Sequence, residues 1–144
     1  MSGMRIGAGT SAFSYPEWRG RFYPEGLPES KMLGFYAEKL ASVEVNNTFY
    51  RMPKSSVFEN WAKSVPEHFA FALKAPRRIT HLSKLRNVSE ALGYFLDAAR
   101  LLGPKLGPLL FQLPPFVKKD AALLRDFLAL LPGDVRAAVE FRHA

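Results

Sequence analysis

The sequence has no cysteine among its 144 residues. That excludes a disulfide scaffold and any thiolate metal site, and makes a reducing compartment the simplest setting. Long apolar runs are missing as well. Stretches such as Leu106 to Leu113 are broken by Gly and Pro, far short of the roughly 18 residues a membrane span needs. The start, Met1 to Ile6, lacks the apolar core of a signal peptide. A soluble cytoplasmic protein with no membrane partner is expected. Acid is in short supply: 20 Lys and Arg against 13 Asp and Glu leave a formal charge of +7. With 48% hydrophobic and 23% charged residues, the chain has enough apolar material for a core and too little net charge for disorder.

The basic excess is local. Residues 70–86 contain Lys74, Arg77, Arg78, Lys84 and Arg86 and no acid, so removing these five from +7 leaves +2 for the rest. Such a patch suits a small anionic ligand. Nucleic acid, held by basic groups on phosphates and by loop rings on bases, is the alternative partner. A solvated loop with no ligand is the third reading.

Apolar periodicity alternates between two kinds of segment. Strand-like runs occur at Arg5 to Gly9, Ser42 to Asn47, Phe69 to Ala75, Pro108 to Leu113 and Arg136 to Phe141. Between them lie helical spacings: Leu33, Tyr36, Ala37 and Leu40; Leu92, Phe95, Leu96 and Ala99; and Leu124, Phe127, Leu128 and Leu131. Ser56 and Glu59 read as a capping box opening a helix whose inner face is Val57, Trp61 and Val65. The order βαβαβαβαβ predicts a parallel sheet covered by helices. It is an α/β fold with two candidate architectures: part of a (β/α) TIM-type barrel, or an open doubly wound sheet. A whole barrel needs at least about 200 residues, so the chain reads as one partial barrel domain over 1–144. The free edges of its first and fifth strands would then favour self-association.

Strand residues alternate faces, which selects the candidate site. In Val43 to Thr48 the valines take the helix side and Glu44, Asn46 and Thr48 the other. Lys74, Gln112, Glu140 and Arg142 occupy the equivalent face of later strands. Buried charges survive when neutralised, so Glu44 and Glu140 against Lys74 and Arg142 form a plausible net-neutral rim at the carboxyl ends, where such folds bind ligands. Glu44 and Glu140 are candidate general acid and base, with Lys74 as cation or, if desolvated, Schiff-base nucleophile. Arg77 and Arg78 are placed on the anion, and Asn46, Gln112 and His81 as orienting groups. A structural ion-pair network is the competing explanation.

The connection from Thr10 to about Ser30 carries Phe13, Tyr15, Trp18, Phe22 and Tyr23 among prolines. It is either a stacking wall for a ligand or a satellite core capping the sheet. Glu44, His81, Glu140 and His143 are ligand types used for divalent ions; the cations beside them and the lack of a local metal signature argue for no cofactor. Gly7, Gly9, Gly26 and Gly107 have no phosphate-loop spacing and are assigned to turns or close packing. His68, at a strand entrance, is assigned a structural role.

Five ordered motifs then come together: Gly9-Thr10-Ser11 through Tyr15 and Trp18; Val43 to Pro53, including Tyr50; Phe71 to Pro76 through Thr80-His81; Leu110 to Phe116; and Val139-Glu140-Phe141-Arg142-His143. Together they resemble domain of unknown function 72, the YecE-like family, over essentially the whole chain. The resemblance implies a TIM-type barrel with its site at the strand ends, to which Ser11, Tyr15, Trp18, Tyr50 and His143 are added as substrate-binding positions, and it supplies no reaction. Ala12-Phe13 stands where the family commonly has Gly-Trp, and the family usually continues past the Glu-Phe-Arg-His motif.

Overall fold

Runs of β-branched, aliphatic and aromatic residues bounded by Gly, Pro and Ser produce five short strands in the computed structural model, which describes residues 6–143. They are β1 (Gly9–Ser11), β2 (Ser42–Val45), β3 (Ala70–Lys74), β4 (Leu106–Gln112) and β5 (Ala137–Glu140). The helices are α1 (Glu29–Lys39), α2 (Asn47–Tyr50), α3 (Ser55–Lys63), α4 (Ser89–Arg100) and α5 (Ala121–Ala129). Every strand pair is parallel and the sheet order is β1-β2-β3-β4-β5. This is an α/β fold built on a five-stranded parallel sheet; β1 and β5 each pair on one side only among the described residues. None of the described helices is long and apolar enough to cross a membrane.

The core lies on one face of the sheet. Val43, Val45, Phe71, Leu73, Leu109 and Phe111 point to it and are all buried. Four helices each answer with one fully buried aromatic ring: Tyr36 from α1, Phe58 from α3, Phe95 from α4 and Phe127 from α5. Phe111 meets two of them, with centroids 6.5 Å from Phe95 and 4.9 Å from Phe127. Burying a side chain of this size contributes about 1.5–3 kcal/mol, so the helices are held mainly by this one layer. The opposite face carries Ser42, Glu44, Ala70, Ala72, Lys74, Leu110 and Gln112, none of them fully buried, and no described helix covers it.

Several expected boundaries move. The first strand is Gly9–Ser11, not Arg5 to Gly9, and Arg5 lies outside the described residues. Its position is fixed by distant partners: the Tyr36 hydroxyl accepts from Thr10 N at 2.8 Å and donates to Ser42 O at 2.8 Å. The second strand stops at Val45 because Asn47–Tyr50 turns into the short helix α2. No capping box forms at Ser56; α3 starts two residues earlier, at Ser55 with Lys54 before it, and Phe58 takes the buried position while Val57 and Trp61 are half-buried. In α5, Leu128 is exposed and Phe127 alone is fully buried. That helix is capped by Asp120, whose Oδ1 accepts from Leu123 N at 2.9 Å.

Ala12 follows β1 with φ +68°, a left-handed conformation that costs an L-residue about 1–2 kcal/mol. Its amide donates to Glu44 O at 2.8 Å, which holds it there. Glycine fits this backbone without that cost, so Ala12→Gly is expected to stabilise the protein by about 0.5–1 kcal/mol, measured by thermal or urea denaturation. An unchanged or lower midpoint would show that the strain is not stored at this residue.

Candidate functional site

Register decides which polar side chains meet. Ser11 lies opposite Glu44, Glu44 opposite Ala72, Lys74 opposite Leu110, and Gln112 opposite Glu140. The polar positions therefore run diagonally over the uncovered face and collect into two groups joined by Lys74.

In the first group, Ser11 Oγ donates to Glu44 Oε1 at 3.2 Å and accepts from Asn46 Nδ2. The Tyr15 hydroxyl donates to Ser11 O. In the second, Gln112 Nε2 lies 3.1 Å from both Glu140 carboxylate oxygens, and Arg142 Nε is 3.6 Å from Glu140 Oε1. That ion pair is about half exposed on each side, so it is worth no more than about 1 kcal/mol. Between the groups, Lys74 Nζ sits 4.6 Å above the Phe49 ring, a cation–π contact. Thr48 is buried and its hydroxyl donates to Lys74 O at 2.7 Å, pinning α2 against the end of β3.

The expected four-charge neutral rim is thus only partly assembled. Among the described residues, Glu140 with Arg142 is its one ion pair, and Lys74 is paired with neither glutamate. The two glutamates lie on β2 and β5, three strands apart in the sheet order, and each is bonded to a different neighbour, Ser11 and Gln112. None of these side chains is fully buried, so full neutralisation is not required.

His81 joins the second group. It lies in the single π-turn Arg78–Leu82, its ring centroid 4.9 Å from that of Phe49, with Nδ1 2.8 Å from the Thr80 hydroxyl. Desolvation lowers its pKa from the ordinary 6.5, and the positive charges of Lys74, Arg77 and Arg142 lower it further. The neutral ring is therefore favoured in the folded protein. As pH falls below about 6.5 the unfolded chain takes up a proton here before the folded one does, so His81 withdraws stability on acidification. An NMR titration is expected to give a midpoint below 6.5, moving upward in Lys74→Met; a midpoint at or above 6.5 would show that the three cations do not face the ring.

Other expected site residues are elsewhere. The loop rings form the satellite core, not a wall: Trp18 is 5.5 Å from Phe22 and 6.0 Å from Tyr23, and Phe22 and Tyr23 pack on Phe35 of α1. A run of closely spaced rings finds its cheapest partner in the exposed side of α1. Tyr15, 4.7 Å from Trp18, is the ring that borders the polar face. The basic stretch 74–86 is not one surface, because the π-turn reverses the chain within it. Lys74 faces the polar rim, Arg77 and Arg78 enter a cleft with Tyr50, and Lys84 and Arg86 border Phe116 near α5, where Arg86 pairs with Asp120 at 3.2 Å. His143 lines a different, mainly apolar groove of about 470 Å³ between α5 and the end of β5. Among the described residues no three His, Asp or Glu side chains gather as a metal group, so Glu44, His81, Glu140 and His143 do not converge. Thr48, expected on the polar strand face with Glu44 and Asn46, is buried in α2 instead, because β2 ends at Val45 and the chain turns helical at Asn47; Phe49, one residue further on, had no assigned role and was legible only as part of its motif.

Five parallel strands joined by helices define an α/β protein. Within that class, the chain belongs to the family described as protein of unknown function DUF72, which matches residues 7–144. It is 33% identical over 136 residues to the UPF0759 protein YecE of Escherichia coli K12, and 31% identical over 130 residues to the UPF0759 protein YunF of Bacillus subtilis. The matches take in 94% and 84% of this chain but only 47% and 46% of those relatives, so the chain spans about half their length. A solved DUF72 family protein from Thermotoga maritima superposes with a TM-score of 0.78 at 30% identity, covering 94% of this chain and 55% of that one. One from Enterococcus faecalis, at 24% identity, shares the fold with a TM-score of 0.74 over 92% of this chain and 49% of its own.

Proposed function

We propose that the uncovered face is a site for acid–base chemistry on a small anionic molecule, a phosphorylated or carboxylated sugar derivative being the best fit. The observation that carries this reading is the second group: one carboxylate, Glu140, held by the Gln112 amide and paired with Arg142, with Lys74 on the same sheet face and a neutral-favouring imidazole, His81, within reach of the charges of Lys74 and Arg142. Arg142 is half exposed and Lys74 has no carboxylate partner among the described residues, so both retain capacity for an incoming anion. Glu140 is the proton carrier, Gln112 fixes its orientation, and Lys74 serves as a binding cation. Glu44, tied to Ser11, which Asn46 holds in turn, positions the other end of the ligand. Phe49, which touches Lys74 and His81, and Tyr15, whose hydroxyl reaches Ser11 O, are the rings bordering this face among the described residues.

The diagonal polar row also supports the barrel reading. In a closed barrel the strands tilt by roughly 35–45° and the register staggers around the ring. Glu44, Lys74 and Gln112, each two residues further along than its neighbour's partner, would then stand level at one mouth. Strands in chain order with helices on one face fit a barrel. An order reversal, the mark of a doubly wound sheet, is absent among the described strands. The relatives' greater length leaves room for further strands.

A panel of phosphorylated and carboxylated sugars, titrated into isotopically labelled protein, tests the site. Saturable shifts at Lys74, Gln112 and Glu140 are expected for at least one member. Combined Lys74→Met and Arg142→Met replacement should weaken that ligand about tenfold or more, since each charged hydrogen bond contributes about 1.5–3 kcal/mol. Shifts confined to other surfaces would reject the reading.

A further inference from the structure

We propose a second anion site, separate from the polar face, in the cleft between α2, the turn after β3 and the start of α4, which takes a phosphate monoester carrying a flat aromatic ring. The cleft holds about 310 Å³ and is bordered by Arg51, Arg77 and Arg78, with Tyr50 and Tyr94 also lining it. A volume of this order matches small-ligand pockets. None of the three arginines is ion-paired among the described residues, and Glu90 is the single acid in the lining. Three positive charges against one leave a net +2, and guanidinium forks match phosphate oxygens in pairs. Tyr50 and Tyr94 are 74% and 67% exposed. Large rings left in water beside cations offer stacking faces for a planar group.

Two features separate this cleft from the acid–base face. Phe49 contributes to the cleft while its ring lies under Lys74 and against His81, so it stands as the wall between the two. Tyr94 projects from α4 away from the helix's buried stripe of Leu92, Phe95, Leu96 and Ala99, and no core contact accounts for an aromatic ring there. The inference does not depend on the acid–base reading. If the cleft fails to bind, Glu140 and Lys74 are untouched; if the face fails to bind, the arginines remain.

The test is a titration of the labelled protein with adenosine monophosphate, adenosine, inorganic phosphate and a 5′-phosphorylated single-stranded oligonucleotide. Adenosine monophosphate should shift residues around Tyr50, Arg77 and Ala91 and bind at least about tenfold more tightly than adenosine or phosphate alone. Combined Arg77→Ala and Arg78→Ala replacement should weaken it about tenfold, Tyr94→Leu should weaken it without changing phosphate binding, and Glu90→Gln should tighten both. These side chains are exposed, and an unchanged melting curve checks that each variant is folded. Tighter oligonucleotide binding that falls steeply between 50 and 200 mM salt would identify a nucleic-acid end as the source of the ligand; preference for the mononucleotide would identify a free metabolite. The proposal is overturned by no saturable shift in the cleft, or by equal binding in the arginine and glutamate variants.

Discussion

Gly9→Ala is expected to destabilise the protein by about 3 kcal/mol, among the larger effects of adding a single methyl group. A Cβ at Gly9 would lie 2.0 Å from Ser42 O and 2.6 Å from its carbonyl carbon. Both obstacles are backbone of the neighbouring strand, which cannot rotate away. β1 is three residues long, so it must lift off β2 instead of bending around the contact. Lifting it breaks the buried Tyr36 junction, where one hydroxyl serves Thr10 N, Thr10 Oγ1 and Ser42 O; each buried group left unpaired costs about 1–3 kcal/mol. It also removes Ser11 from Glu44 and Asn46, so the first polar group should disorder with the strand. Gly26→Ala is the control: nothing lies within 4 Å of its Cβ, and a change within about 0.5 kcal/mol is expected. Urea denaturation of the two variants decides the matter; equal midpoints would mean that β1 does not sit in this register.

The contrast between those glycines shows where reading the sequence reaches its limit. Gly9 and Gly107 were both assigned to turns or close packing, and the structure gives both a backbone neighbour inside 3 Å of a Cβ, whereas Gly26 faces open space. Composition offers nothing to separate them, because the deciding atom belongs to a strand some 30 residues away. The interior strands were legible to within about two residues, since alternation of Val43, Val45, Phe71 and Leu73 is a local signal reinforced by burial. β1 was not, because an edge strand of three residues is fixed by Tyr36 and Ser42 and not by its own pattern.

Side-chain faces were read correctly for Glu44, Lys74, Gln112 and Glu140, which do share one face. Their mutual distances were not, because period-2 alternation says nothing of register between strands. The same gap explains the basic stretch 74–86, which is continuous in sequence and divided among three places by one π-turn. Tyr94 could have been found: an aromatic one step off a clean apolar stripe on a helix marks a ring committed to something other than the core. Ala12 could also have been found, since replacing a glycine in a family pattern points to a backbone that prefers glycine.

The separation of the two glutamates leads to an asymmetric result for the chemistry. If Glu140 carries the proton, Glu140→Gln should lower turnover of the anion identified by titration by about 100-fold or more, the usual scale of general acid–base catalysis. The shape is retained: a Gln carbonyl can still accept from Gln112 Nε2, and the exposed pair with Arg142 contributes little to stability. The melting temperature should therefore stay close to that of the parent. Glu44→Gln should act through its neighbours Ser11 and Asn46, raising KM with a smaller effect on kcat, less than about tenfold. Equal losses of kcat in both variants would require the two carboxylates to work on one bond. That outcome would fit a closed barrel, in which the inward faces of β2 and β5 look across the ring at one another. A large loss in Glu44→Gln alone would move the chemistry to β2 and leave Glu140 as an anchor for Arg142.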